Sequence, residues 1–335
     1  MISTGSPPSP SIPHPPTRWE RDAPNRPSFF KQGPGRGRLR LALAGLVLAL
    51  PPVAGPFVAP AAAQGARALV FEEALRGTED REVRWPVAVA ASAAEELAVA
   101  DAFSPRLLVL RRAGVGWQVA RVADLPGVPA GLAWDGSRWV VSVRGGGGLV
   151  ALEGEELLQR RLPLPAGVVP GALAALPGGG ILVHDAAGGR ILRLGADGRS
   201  AGEIAVAGTV TGLAAAPGAV VAAFGDEGVV RRFDAAGAVE ATWALPADGP
   251  VPAWPAGIAV APAGDTYVAD RHNGRIAVLD PAGRVTGFGA RKGWDPGLLL
   301  FSSGLALLPD GRLVVADQGN GRVQLYRRAG GGGTP

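Results

Sequence analysis

The sequence predicts an all-β fold built as a ring of repeated four-stranded units, and three observations carry that prediction. Two near-identical segments, YVADRHNGRI (Tyr267–Ile276) and VVADQGNGRV (Val314–Val323), place their aspartates 47 residues apart, a spacing typical of an architectural repeat. Short alternating apolar runs bounded by Gly, Pro, Asn and Asp turns fill the chain beyond about residue 68, as half-buried strands require. The same turn residues also return at a fixed offset from small-residue openings, which evenly spaced strands of a sandwich would not reproduce.

Taken in order, the first unit opens at Ala88, with Asp101 thirteen residues on. The second opens at Gly131 with Arg144 at that offset, the third at Ala172 with Asp185, and the fourth at Gly212 with Gly225. The fifth opens at Gly257 with Asp270 and the sixth at Gly304 with Asp317. Successive openings are 43, 41, 40, 45 and 47 residues apart. The fifth unit reads GIAVAP, GDTYVAD, RIAVLD and RVTGFG, four short strands joined by turns. Such a unit is a blade, and six of them make a six-bladed β-propeller. The sixth unit ends after its third strand at GRVQLYRR. ALVFEE (Ala68–Glu73) is left to supply the missing outer strand and close the ring, removing exposed edges.

Residues 1–35 are rich in Pro and Ser and are expected to be a disordered extension. Residues 36–63 have the pattern of a secretory signal: Arg36, Arg38 and Arg40, the apolar run Leu41–Leu50, then small residues ending at Ala63. Ten apolar residues reach about 15 Å as helix, half of a bilayer core of about 30 Å, so the run is expected to be cleaved near Ala63 rather than kept as a span. A periplasmic or secreted location follows from that reading. The propeller is assigned to residues 64–328 and a Gly-rich disordered tail to 329–335.

Removing residues 1–63 takes away seven basic and two acidic residues, leaving 26 and 27 of the chain's 33 and 29. The body is near neutral, so no nucleic-acid partner is expected. With no cysteine, disulfides, zinc-thiolate sites and cysteine nucleophiles are excluded.

The pattern at Pro255–Val260, Tyr267–Asp270 and Asn273–Ile276 resembles the NHL repeat, and the resemblance extends over about residues 85–327 to a bacterial, exported six-bladed protein. Units one and three keep the Asp-x4-Arg spacing in Asp101 with Arg106 and Asp185 with Arg190. Units two and four lose it. The repeat residues have a structural reading: Asp270 and Asp317 accept backbone N–H bonds, Asn273, Gly274 and Asn320 make the turn, and Arg275 and Arg322 start the next strand. Their recurrence in successive blades suggests Asp–Arg pairing between blades.

In propellers of this kind, the loops leading into inner strands and the second-to-third-strand turns gather on one face around the channel. Two lead-in loops, Leu245–Pro255 and Ala290–Ser303, are longer than a turn requires. They bring Trp254, Trp294, Arg291 and Lys292 to that face, beside Arg271, His272, Arg144 and His184 in the turns. Aromatic rings beside cations suit recognition of a protein, peptide or cell-envelope polymer. The leading reading is therefore a binding scaffold with no catalytic residues, metal site or cofactor. The alternative is a lactonase or lyase dependent on a divalent metal in the channel. Related lyases use three zinc-binding histidines, but residues 64–335 contain two, His184 and His272. No GxSxG, HExxH or phosphate-binding glycine loop is present.

Overall fold

Each inner strand carries small residues where it meets its neighbour, and this lets the blades close on one another. A Cβ on Gly257 would lie 2.6 Å from the Ser303 carbonyl oxygen, and one on Gly304 would lie 2.9 Å from the Ala88 Cα. The computed structural model describes residues 68–78 and 81–329. In them, six four-stranded antiparallel sheets form the blades of a β-propeller. Blade one runs from β2 (Pro86–Ala93) to β5 (Gly116–Asp124), blade two from β6 (Pro129–Trp134) to β9 (Leu158–Leu162), and blade three from β10 (Pro170–Ala175) to β13 (Ser200–Ala205). Blade four runs from β14 (Val210–Ala216) to β17 (Val239–Ala244) and blade five from β18 (Pro255–Val260) to β21 (Val285–Gly289).

Blade six closes the ring. Its strands β22 (Leu305–Leu307), β23 (Leu313–Asp317) and β24 (Arg322–Arg328) are completed by β1 (Leu69–Leu75). The β1–β24 register runs from Leu69 opposite Arg328 to Leu75 opposite Val323, with one bulge between Phe71 and Glu73. The core lies between blades: Leu97, Val99 and Leu108 of blade one pack with Val314, Val323 and Leu325 of blade six. Burying such side chains stabilises by roughly 1.5–3 kcal/mol each.

The register corrects one alignment. A constant offset of thirteen puts Arg144 and Gly225 at the aspartate position of blades two and four. In the ring, Pro170 faces Asp185 and Pro255 faces Asp270, but Pro129 faces Val143 and Val210 faces Phe224. The first hairpin of blades two and four is one residue shorter, so Val143 and Phe224, both buried, replace the aspartate. Arg144 and Gly225 are the residues after it. The expected extension (1–35), secretory signal (36–63) and nearly all of the tail (329–335) lie outside the described residues. No helix of the described residues is long and apolar enough to cross a membrane.

Candidate functional site

The repeat aspartates are clamps. Asp317 is fully buried and accepts from the Leu300 N–H at 2.7 Å, Asn320 Nδ2 at 2.8 Å, Arg322 Nε at 2.7 Å and Gln324 Nε2 at 2.8 Å. Asp270 accepts from the Trp254 N–H at 3.0 Å, Asn273 Nδ2 at 2.8 Å and Arg275 Nε at 3.0 Å. Asp185 accepts from Val169 N–H and Arg190 Nε, and Asp101 from the N–H groups of Arg84, Trp85 and Phe103. The pairing thus runs within a blade, not between blades; three of the arginines also reach their own lead-in loops, while Arg190 turns to Glu203 at 2.9 Å. Arg322 donates to the carbonyls of Asp295 and Leu298, Arg275 to Pro246 and Arg106 to Glu82. The turn's left-handed residue is Gly274, at φ 59°; Asn273 serves the carboxylate.

Just before each inner strand stands a residue at the channel mouth; clamps hold those of blades one, three and five, and the blade-six clamp holds Leu300. Every inner strand starts at the same end of the channel, so these residues encircle one mouth. They are Trp85, Val128, Val169, Thr209 and Trp254, with Phe301 and Ser302 in blade six. Trp85 is 44 % exposed and Phe301 41 %, and Phe103 in the adjacent turn is 63 % exposed. A second ring, one residue past the aspartate position, holds Ala102, Arg144, Ala186, Gly225, Arg271 and Gln318. The two rings are tied by backbone bonds, such as Arg144 N–H to Val128 carbonyl and Arg271 N–H to Trp254 carbonyl, each 2.9 Å.

Between blades five and six the rings make a cluster. Arg271 donates from Nη1 to the Phe301 carbonyl at 2.8 Å and from Nη2 to Gln318 Oε1 at 2.7 Å, and its guanidinium lies 5.4 Å from the Phe301 ring centre. Both acceptors are neutral. Burial holds its pKa below the ordinary arginine value, because a desolvated charge is disfavoured without a counter-charge. Trp254 and His272 stack at 5.0 Å, and Lys292 Nζ donates to the His272 carbonyl at 3.2 Å. The indole also leans over blade four, where a Cβ on Gly225 would lie 2.6 Å from it.

The other expected residues lie apart from this cluster. Arg144 is exposed on blade two. His184 is buried on blade three beneath Gly171, and its pKa is lowered by burial against the opposing charge of Asp185. Trp294 is 71 % exposed in the blade-six loop, and Arg291 lines an outer cleft. Sequence reasoning missed Trp85, Phe103, Val128, Val169 and Phe301. The signal was an apolar residue preceding the inner-strand proline in Trp85–Pro86, Val128–Pro129, Val169–Pro170 and Trp254–Pro255.

The channel has a cavity of about 60 Å³, walled by Ala, Gly, Val, Leu and Ile with Thr211 and Ser303 as its polar side chains. Those hydroxyls are used in ring closure: Thr211 donates to the Pro255 carbonyl at 2.6 Å and Ser303 to that of Pro86 at 3.0 Å. No carboxylate lines it. Among the described residues no three His, Cys, Asp or Glu side chains group as a metal site. The donor set does not fit a divalent metal, which needs several carboxylate or carbonyl oxygens directed at one point.

Residues 253–279, Trp254 and most of blade five, match the NHL repeat family model. Among curated proteins, no sequence match is found. Solved structures give a fold likeness. A streptogramin B lyase aligns at 14 % identity over 79 % of this chain and 100 % of its own, with TM-score 0.56. A gluconolactonase from Xanthomonas campestris aligns at 18 % identity over 80 % and 99 %, with TM-score 0.61. The WD40 propeller domain of Doa1 aligns at 11 % identity over 79 % and 98 %, with TM-score 0.55. The protein is therefore of the β-propeller class. More particularly, it is a six-bladed propeller carrying an NHL repeat in its fifth blade.

Proposed function

We propose that the protein is a binding scaffold whose mouth, between blades five and six, takes a carboxylate-bearing protein, peptide or cell-envelope polymer. The observation that carries this reading is Arg271. The buried Arg322 and Arg138 are matched by carboxylates, Asp317 at 2.7 Å and Asp135 at 2.8 Å, whereas Arg271 is half-buried. Arg271 spends two donors on neutral oxygens, and its remaining N–H groups suit a carboxylate. A bound carboxylate would also relieve the desolvated charge. Phe301, Trp254 and the exposed Trp85 and Phe103 supply apolar contact around it. The leader pattern of residues 36–63 supports an exported scaffold.

The lyase and gluconolactonase likenesses favour an enzyme as second reading, and the carboxylate-free channel weighs against it. Arrays of acidic peptides, their amidated forms and envelope polysaccharides decide the matter. The proposed outcome is capture of carboxylate ligands that falls about tenfold, or 1.4 kcal/mol, in Arg271→Gln, with its melting temperature unchanged. Capture indifferent to that substitution, or lactone turnover abolished by a chelator, overturns the reading.

A further inference from the structure

Gln318 sits at the mouth with half of its side chain in use. It is 6 % exposed and opens the short 3₁₀ turn Gln318–Asn320, which the Gly319 N–H fixes to the Leu300 carbonyl at 2.8 Å. Its Oε1 accepts from Arg271 Nη2 at 2.7 Å. A guanidinium only donates, so this bond settles the amide: the oxygen serves Arg271 and Nε2 is left for another acceptor.

Two donors are thereby left over in one linked pair. Gln318 Nε2 and Arg271 Nε make no hydrogen bond among the described residues, and neither is sealed from solvent as the Ser302 hydroxyl is. The neighbouring carboxylate, Asp317, is already filled by four donors. Apolar surface stands beside the pair: the Phe301 ring centre lies 5.4 Å from the guanidinium, and Trp254, stacked on His272, accepts the Arg271 backbone N–H at its carbonyl.

We infer that this pair reads the C-terminus of a peptide: Arg271 takes the terminal carboxylate, Gln318 Nε2 donates to the preceding peptide carbonyl, and an apolar last side chain lies against Phe301. The inference rests on the mouth being the binding surface and narrows its carboxylate ligand to one kind. A cation and a neutral amide held side by side suit a charged and a neutral acceptor held side by side, which is what a chain end offers. The 5.4 Å between guanidinium and ring also asks for a carboxylate and an apolar group within reach of one carbon. A C-terminal residue carries both on its Cα. An internal Asp or Glu holds its carboxylate at the tip of a side chain and brings no apolar group with it.

Calorimetric titration of the full chain with acetylated Gly-Gly-Phe, its C-terminal amide, 3-phenylpropanoate and acetylated Gly-Glu-Gly amide tests this. The free tripeptide should bind one-to-one, its amide about tenfold more weakly, and 3-phenylpropanoate, which lacks the peptide carbonyl, severalfold more weakly. Gln318→Glu keeps an acceptor for Arg271 and adds a counter-charge, so it should abolish binding while the melting temperature stays level or rises. A residue that only shaped the turn would not separate those two readouts. Binding of the internal acidic peptide as tightly as the free tripeptide overturns the inference and leaves the carboxylate scaffold standing. So does a Gln318→Glu variant that binds like the parent. Failure of every carboxylate to bind overturns both.

Discussion

Blades two and four differ from the other four at one buried position, and the difference tracks the length of chain leading into each blade. The lead-in segments are 125–128 for blade two and 206–209 for blade four, four residues each. Those of blades one, three, five and six are 76–85, 163–169, 245–254 and 290–304. The longer segments all end on an aspartate clamp, and the short ones end against Val143 or Phe224. A long segment brings loose backbone N–H groups that a buried carboxylate can satisfy, and a four-residue connection has none to spare. The repeat motif is thus a device for anchoring long loops. The fold itself rests on the apolar alternation that all six blades share.

Exchanging the two solutions should break both blades, and the larger effect belongs to blade six. Asp317→Val strands Arg322, which is 1 % exposed, along with the Leu300 N–H, Asn320 and Gln324. The expected loss is about 3–5 kcal/mol, the cost of removing one partner of a buried pair, read from urea unfolding. The converse Val143→Asp restores the motif in blade two where no long loop supplies donors. It should cost about 2–3 kcal/mol, and a stabilised variant would refute the loop-length account. Asp185→Val should cost less than Asp317→Val, about 1–2 kcal/mol, because Arg190 keeps a third of its side chain in solvent and an alternative partner in Glu203 at 2.9 Å.

Much of this was legible in the sequence. The period, the blade count and the closing strand followed from turn residues and alternation, because those patterns are local and recur. The equivalence of Arg144 and Gly225 with the aspartates failed because a hairpin one residue shorter is invisible without register. Between-blade pairing failed for a related reason: recurrence shows that two groups sit at like positions, not which copy each meets. Of the expected mouth residues, Trp254, Arg271 and His272 come together because they flank one clamp. Arg291 and Lys292 are adjacent in sequence, yet a bend in the chain sends one outward and the other to the mouth. The apolar collar was missed because a single tryptophan or valine before a proline, or a lone phenylalanine in a turn, looks like an ordinary loop residue.

The smallest effect separates blade three from the rest by pH. Burial raises the Asp185 pKa, but the N–H groups of Val169 and Gly188 and the Arg190 guanidinium outweigh it and hold the carboxyl below its ordinary value. Next to it, burial lowers the His184 pKa, only partly opposed by the Asp185 charge. In both cases the unfolded chain binds protons more readily than the folded one, so stability falls as pH falls. The histidine part is fully present above about pH 6.5 and begins to fade below it; the aspartate part begins to fade below about pH 3.9. Unfolding free energies measured from pH 8 to 3 should therefore decline first below about pH 6.5 and again below about pH 4. His184→Gln should flatten the first decline and leave the second, whereas Asp185→Asn should only lessen the second, because Glu96, Asp135 and Asp280 are also held below their ordinary values. A first decline that persists in His184→Gln would assign it to another group and sever blade three from the acid response.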